Sequence, residues 1–166
     1  MKPKLIIVVG NIGAGKSTVC RELAKKGYRV LSRDALRYMV GGGEYVFDLK
    51  LEPTIAMAHD AMFEAFVQAQ EDIVIDETSV QPDRRWELIE ATYSQPWHYH
   101  FTALEMPRLS KKESVDRRMQ NSHGGIARKV WEGVWDKFDR LYVAPKKSEG
   151  FDRVIQYNSK SDLLKL

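Results

Sequence analysis

The stretch "LIIVVGNIGAGKST", residues 5–18, constrains this chain more than any other. "LIIVVG" is a continuous apolar, largely β-branched run, the type expected of a strand covered on both faces in a parallel sheet. It meets glycines at 10, 13 and 15, then Lys16, and a segment of helical composition extends from there to Lys26, with Gly27 as a C-cap. Gly10, four residues, then Gly15, Lys16 and Ser17 make a phosphate-binding loop pattern. The glycines let the backbone curl so that its N–H groups face phosphate oxygens, and the next helix adds its positive end. Lys16 can reach the β- and γ-phosphates, and the Ser17 hydroxyl can ligate Mg²⁺. The bare pattern arises by chance in roughly one chain of this length in a hundred or fewer. Here it also sits between a strand and a helix. Gly10, Asn11, Ile12, Gly13, Ala14, Gly15, Lys16, Ser17 and Thr18 are therefore expected to hold a nucleoside triphosphate, with Thr18 in the smaller role.

The rest of the chain alternates strand-like and helix-like segments. "YRVLS" (28–32), "DIVID" (72–76), "WHYHFTALE" (97–105) and "RVIQYN" (153–158) read as further strands. "DALRYMV" begins a short helix that stops at Gly41–Gly43, and residues 41–50 read as a mobile loop. A longer helix comes next, with Pro53 in its first turn, where proline costs no hydrogen bond. Ile55, Ala58, Met62, Ala65, Phe66 and Ala69 recur along it at helical spacing and are expected to face the core. "PDRRWELIEATY", "SKKESVDRRM" and "ARKVWEGVWDKFDRLY" complete the helices, and "APKKSEG" (144–150) reads as a solvated turn. In the last helix Trp131, Trp135 and Phe138 are expected to pack in a core. The pattern predicts one α/β domain over residues 1–166, a three-layer sandwich around a mostly parallel sheet, with a helical lid at about 113–130.

The bulk numbers exclude other classes. A hydrophobic fraction of 43% against 30% charged residues argues for a packed core and against disorder. Cys20 is the only cysteine, so no internal disulfide can form; a reducing, cytoplasmic setting fits, and Cys20 reads as a small buried thiol. No apolar run approaches the ~20 residues of a membrane span, and the N-terminal run is too short for a signal peptide. A net charge of +3 permits a polyanionic partner without requiring one. No obligate protein partner is evident, and His59, His98 and His100 lack zinc-site spacing.

In open α/β sheets ligands bind beyond the carboxyl ends of the strands. "VLSRDALR" and "DIVIDETS" both end strands in polar groups. Asp76 closes an apolar run and is expected to help hold Mg²⁺, often through water, or to orient the acceptor; Glu77 beside it is open between metal, water and neither. Ser32 reads as a helix cap. Asp34 has the chemistry of a general base that takes the proton of an attacking hydroxyl. Arg37, one helical turn on, shares its face, and could hold a substrate phosphate or the base itself. Thr78 could contact substrate.

Taken together, "GNIGAGKST", "SRDALR" and "VIDETSVQPDRR" resemble the small P-loop kinases related to the 5′-kinase domain of phage polynucleotide kinases, over roughly residues 4–130. The resemblance implies an ATP- and Mg²⁺-dependent kinase with Asp34 as base, Arg37 on the acceptor's phosphate, Asp76 as an active-site carboxylate, and Arg84 or Arg85 on the substrate. It implies nucleic acid, DNA or RNA, as the acceptor, most simply a 5′-hydroxyl end. The hydroxymethyl group of a modified pyrimidine base, or a nucleoside, nucleotide or other small metabolite, are the alternatives; a nucleotide-dependent switch has no need of a base such as Asp34. Ser79 stands where the family has Asn. Arg117 or Arg118 supplies the first lid arginine around a Gly124–Gly125 hinge. The second is missing at its usual spacing, where Asn121 to His123 stand, and Arg128 is a substitute.

Overall fold

The computed structural model describes residues 2–120, 123 and 125–166; Asn121, Ser122 and the expected hinge glycine Gly124 lie outside them. Strands β1 (Lys4–Val9), β2 (Arg29–Leu31), β3 (Ile73–Ile75), β4 (His100–Glu105) and β5 (Arg153–Gln156) form one sheet in the order β2-β3-β1-β4-β5. Every pairing is parallel. Helices α1 (Lys16–Lys25), α2 (Arg33–Val40), α3 (Glu52–Gln68), α4 (Pro82–Glu90), α5 (Lys111–Gln120) and α6 (Arg128–Arg140) lie between the strands in sequence.

The uninterrupted apolar run of β1 results from its central place. Successive side chains point to opposite faces, so Leu5, Ile7 and Val9 join a core with Phe63 and Val67 of α3 and Leu88 and Ile89 of α4. Ile6 and Val8 join a second core with Val19, Cys20 and Leu23 of α1. Both faces are covered, so Leu5–Val9 are all apolar and buried, and only Lys4 at the strand's start is polar.

α3 turns a different face inward from the one its alanines suggest. Its buried stripe is Ile55, His59, Phe63 and Val67, whereas Met62 is 39% exposed. His59 is fully buried against Asp60 (Nδ1 at 3.1 Å from Oδ1) and Glu77 (Nε2 at 3.2 Å from Oε1). A polar residue on the core face hid the true period.

Residues 41–50 contain turns but no helix or strand, and Tyr45 anchors the segment with its ring buried. "APKKSEG" is more than a solvated turn. A 3₁₀ turn, Lys147–Glu149, presents Glu149 to Arg85, which is fully buried. Arg85 Nε and Nη2 donate to the two Glu149 oxygens at 2.6 and 2.8 Å, and Nη1 donates to the carbonyls of Ser79 and Val143. A buried guanidinium needs such a set of acceptors, since one unpaired charge in the core is strongly destabilising.

Removing one partner of this pair is therefore expected to be expensive. Glu149→Ala should cost about 3–5 kcal/mol and lower the melting temperature by at least ~6 °C, at roughly 2–4 °C per kcal/mol for a chain of this size. A thermal unfolding curve within 2 °C of the parent would contradict the assignment.

Candidate active site

The parallel register places three strand ends side by side. Leu31 of β2 pairs with Ile75 of β3, and Ile75 pairs with Ile7 of β1. The segments that leave these strands, Ser32–Asp34, Asp76–Thr78 and the loop from Gly10, meet at one edge of the sheet. Two backbone hydrogen bonds lock the junction: Asp76 N–H donates to Leu31 O (2.8 Å) and Gly10 N–H to Thr78 O (2.9 Å).

The phosphate loop is tightly held. A Cβ on Gly13 would come within 2.2 Å of Ser114 O, and Gly13 and Gly15 have φ of 68° and 93°, a region side chains disfavour. Asn11 braces the loop from inside: its Oδ1 accepts from Ile12 N–H, its Nδ2 donates to Trp135 O, and its carbonyl accepts from Lys16 Nζ at 2.8 Å. Ile12 packs with Val115 and Trp131, against which Trp135 and Phe138 are half-buried, as expected for α6. Thr18 is exposed and its hydroxyl accepts from Arg21.

Burial pushes the Lys16 ammonium down to about 8, partly opposed by the Asp76 and Asp34 charges. Burial likewise raises the Asp76 carboxyl, against a hydrogen bond from Ser17 and the charge of Lys16. Ser17 and Asp76 thus form a paired, oxygen-only donor set beside the loop, which suits Mg²⁺.

Asp34 has partners on both of its oxygens. Oδ1 accepts from Arg37 Nη1 at 2.6 Å and from the Tyr45 hydroxyl at 3.0 Å; Oδ2 accepts from Arg118 Nη2 at 3.0 Å. Burial alone would raise its pKa, but the Arg118 and Arg37 charges and these hydrogen bonds hold it below the ordinary carboxylate value. Asp34 is therefore an ionised acceptor. Burial and the neighbouring Asp34 charge push the Tyr45 hydroxyl up to about 12, so it remains a donor. Ser32 caps the helix as read from sequence, its Oγ accepting from Ala35 N–H.

Arg37 is held twice. Besides Asp34 it donates to both oxygens of Glu52, Nε at 2.8 Å and Nη2 at 2.6 Å, a bidentate fork. Arg118 lies over the Trp131 ring at 4.3 Å, and Trp131 continues through His123 to Tyr38 and Tyr45 as an aromatic cluster. Of Arg117, Arg118 and Arg128, Arg118 is the one that lines the cleft and contacts Asp34. Arg117 is exposed and does not line the cleft, and Arg128 pairs with Asp116, tying α5 to α6.

A cleft of about 850 Å³ joins Lys16, Ser17, Asp34, Arg37, Asp76, Thr78, Arg84 and Arg118. Arg85 is not among its lining residues, so its expected substrate role is corrected to the structural one above. Glu77 reaches the cleft, but its oxygens meet Arg84 Nε (3.0 Å) and Arg33 Nε (3.0 Å). Ser79 has φ of 44°, a left-handed conformation in which Asn is enriched; the position asks for such a residue. Glu52 and the contact of Trp131 with Arg118 were not expected from sequence, since each reaches the site from a helix with no motif of its own.

The family model described as AAA domain matches residues 5–145. The chain belongs to that family. No curated protein matches it in sequence. Among solved structures, the Pnkp1/Rnl/Hen1 complex is 24% identical with a TM-score of 0.56, covering 69% of this chain and 38% of that one. A fungal RNA kinase is 19% identical at a TM-score of 0.62, over 99% of this chain and 42% of that one. This chain thus spans less than half the length of either relative. A shikimate kinase from Acinetobacter baumannii in complex with shikimate is 16% identical at 0.55, over 96% and 87%. The fold is that of P-loop kinases. No helix among the described residues is long and apolar enough to cross a membrane.

A free Lys16 that titrates near 8 must take up a proton to meet a triphosphate above that pH, because the bound anion favours the charged form. ATP affinity measured from pH 7 to 9.5 is expected to fall above about pH 8, approaching tenfold per pH unit. A flat profile would contradict the lowered pKa of Lys16.

Proposed function

We propose that this chain is an ATP-dependent kinase that phosphorylates a hydroxyl on nucleic acid, with the 5′-hydroxyl end as the acceptor supported best. One observation carries the reading. An ionised carboxylate, Asp34, stands across the cleft floor from a phosphate loop, in contact with an arginine of the lid. A site that only binds or hydrolyses nucleotide has no use for a second carboxylate aimed at the place where an acceptor enters.

In this reading Lys16 and the loop amides hold the triphosphate, and Ser17 and Asp76 hold Mg²⁺, which neutralises charge on the transferring group. Arg118 occupies Oδ2 of Asp34. By swinging toward the phosphoryl group it exposes that oxygen to the acceptor's hydroxyl. Asp34 then orients the hydroxyl and takes its proton, while Arg37 and Tyr45 keep Oδ1 in place. Arg84 is a further cleft arginine on the acceptor side.

Six cationic and six carboxylate side chains line the cleft. That balance favours a short contact with one end of a strand over a long phosphate track. It also gives weight to a second reading, a small acceptor such as a nucleoside, which agrees with the metabolite kinase among the structural relatives.

The test is transfer from γ-labelled ATP to 5′-hydroxyl oligonucleotides, hydroxymethylated duplexes and nucleosides. Label is expected on the oligonucleotide ends; label on nucleosides alone would contradict the polymer acceptor. Asp34→Asn is expected to lower the transfer rate by a factor of about 10²–10⁴ with ATP affinity within about threefold of the parent. Undiminished turnover would remove Asp34 as the base.

A further inference from the structure

Phe47 is an exposed aromatic side chain inside the cleft. It is 53% exposed and lines the same cleft as Asp34, as does Leu49, 77% exposed two residues on. The segment that carries them is not loose: Tyr45, two residues before Phe47, is buried and donates to Asp34. Arg37, bonded to Asp34 at 2.6 Å, also places its guanidinium carbon 5.6 Å from the Phe47 ring centroid. One anchored segment therefore contacts the base with its first aromatic and leaves the next ring open beside it.

The four arginines that line the cleft are occupied, while Lys137 faces the Phe138 ring. Arg37 is paired with Asp34 and Glu52, Arg118 with Asp34, Arg33 with Glu77, and Arg84 with Glu77 and Glu87. A strand backbone tracked by its phosphates needs cations available for them. An exposed ring in a charge-balanced cleft suits instead a planar, weakly charged group, held by stacking.

Resting on the kinase reading above, we propose that Phe47, supported by Leu49, is the platform on which the nucleobase of the acceptor nucleoside stacks, so that the acceptor is recognised by its terminal nucleoside and not along its phosphates. The nucleoside is either the end residue of a strand or a free molecule; both present the same base to the ring.

Binding tests this without requiring catalysis. The probes are a 5′-hydroxyl oligonucleotide with the fluorescent base 2-aminopurine at its first position, and 2-aminopurine riboside, each with a non-hydrolysable ATP analogue present. Stacking is expected to quench the base in the parent and in Phe47→Trp. Phe47→Ala is expected to lose the quenching and bind the tighter probe about tenfold more weakly, with the ATP analogue bound as in the parent. Raising salt from 50 to 200 mM is expected to weaken oligonucleotide binding less than tenfold, against the steep loss of a multi-phosphate contact. Preference for the oligonucleotide assigns the strand end, and preference for the riboside assigns the free nucleoside; the ring's role is supported either way. Equal binding and quenching by the parent and Phe47→Ala would overturn the platform alone. A parent that binds the ATP analogue but neither probe would overturn the nucleic-acid reading together with it.

Discussion

The parallel pairing of β2, β3 and β1 is the constraint on which the site depends. No single segment carries a complete set of groups for phosphoryl transfer. The loop from Gly10 brings the cation and amides, the end of β2 brings Asp34, and the end of β3 brings Asp76. These become one site because Leu31, Ile75 and Ile7 stand in register and two backbone hydrogen bonds tie the strand ends. Shifting β3 by one residue would turn Asp76 to the other face of the sheet. The buried apolar faces on both sides of β1 hold that register.

The site then works by occupying its charges. Asp34 is kept ionised by two arginines and a tyrosine hydroxyl, and Glu52 holds the nearer arginine from the far side. A carboxylate with both oxygens engaged is well oriented, and under the proposed function Oδ2, which has one partner against two on Oδ1, is the oxygen that meets the acceptor hydroxyl. Arg118 is the partner suited to leave. It comes from α5 and rests on the face of Trp131, an electrostatic contact that tolerates displacement better than a bidentate fork. Arg37 has no such freedom.

Much of this was legible in the sequence, for a physical reason. The phosphate loop is local: its glycines, lysine and serine act through their own backbone and neighbours, so spacing suffices. The two-faced apolar run of β1 and the strand-end acids are local as well. What the sequence could not separate were neighbours whose fates depend on distant partners. Arg84 and Arg85 are adjacent and chemically alike, yet one lines the cleft and the other is buried against Glu149, 64 residues away. Arg117 and Arg118 divide too, Arg118 lining the cleft and Arg117 exposed. The face of α3 was half legible: Ile55 and Phe66 lie toward the core as expected, but His59 looks polar and is fully buried beside Glu77. Ser79 shows the reverse: its departure from the related Asn carries meaning once its positive φ is known.

The most direct measurement is a crystal structure of the protein with Mg²⁺, a non-hydrolysable ATP analogue and an oligonucleotide bearing a 5′-hydroxyl. The acceptor oxygen is expected within hydrogen-bond reach of an Asp34 carboxylate oxygen, about 2.6–3.2 Å, and in line with the γ-phosphorus, with Arg118 moved from Asp34 to the phosphate. An acceptor oxygen bound away from Asp34, or Arg118 still paired with Asp34 while the γ-phosphate is in place, would contradict the role given to this carboxylate.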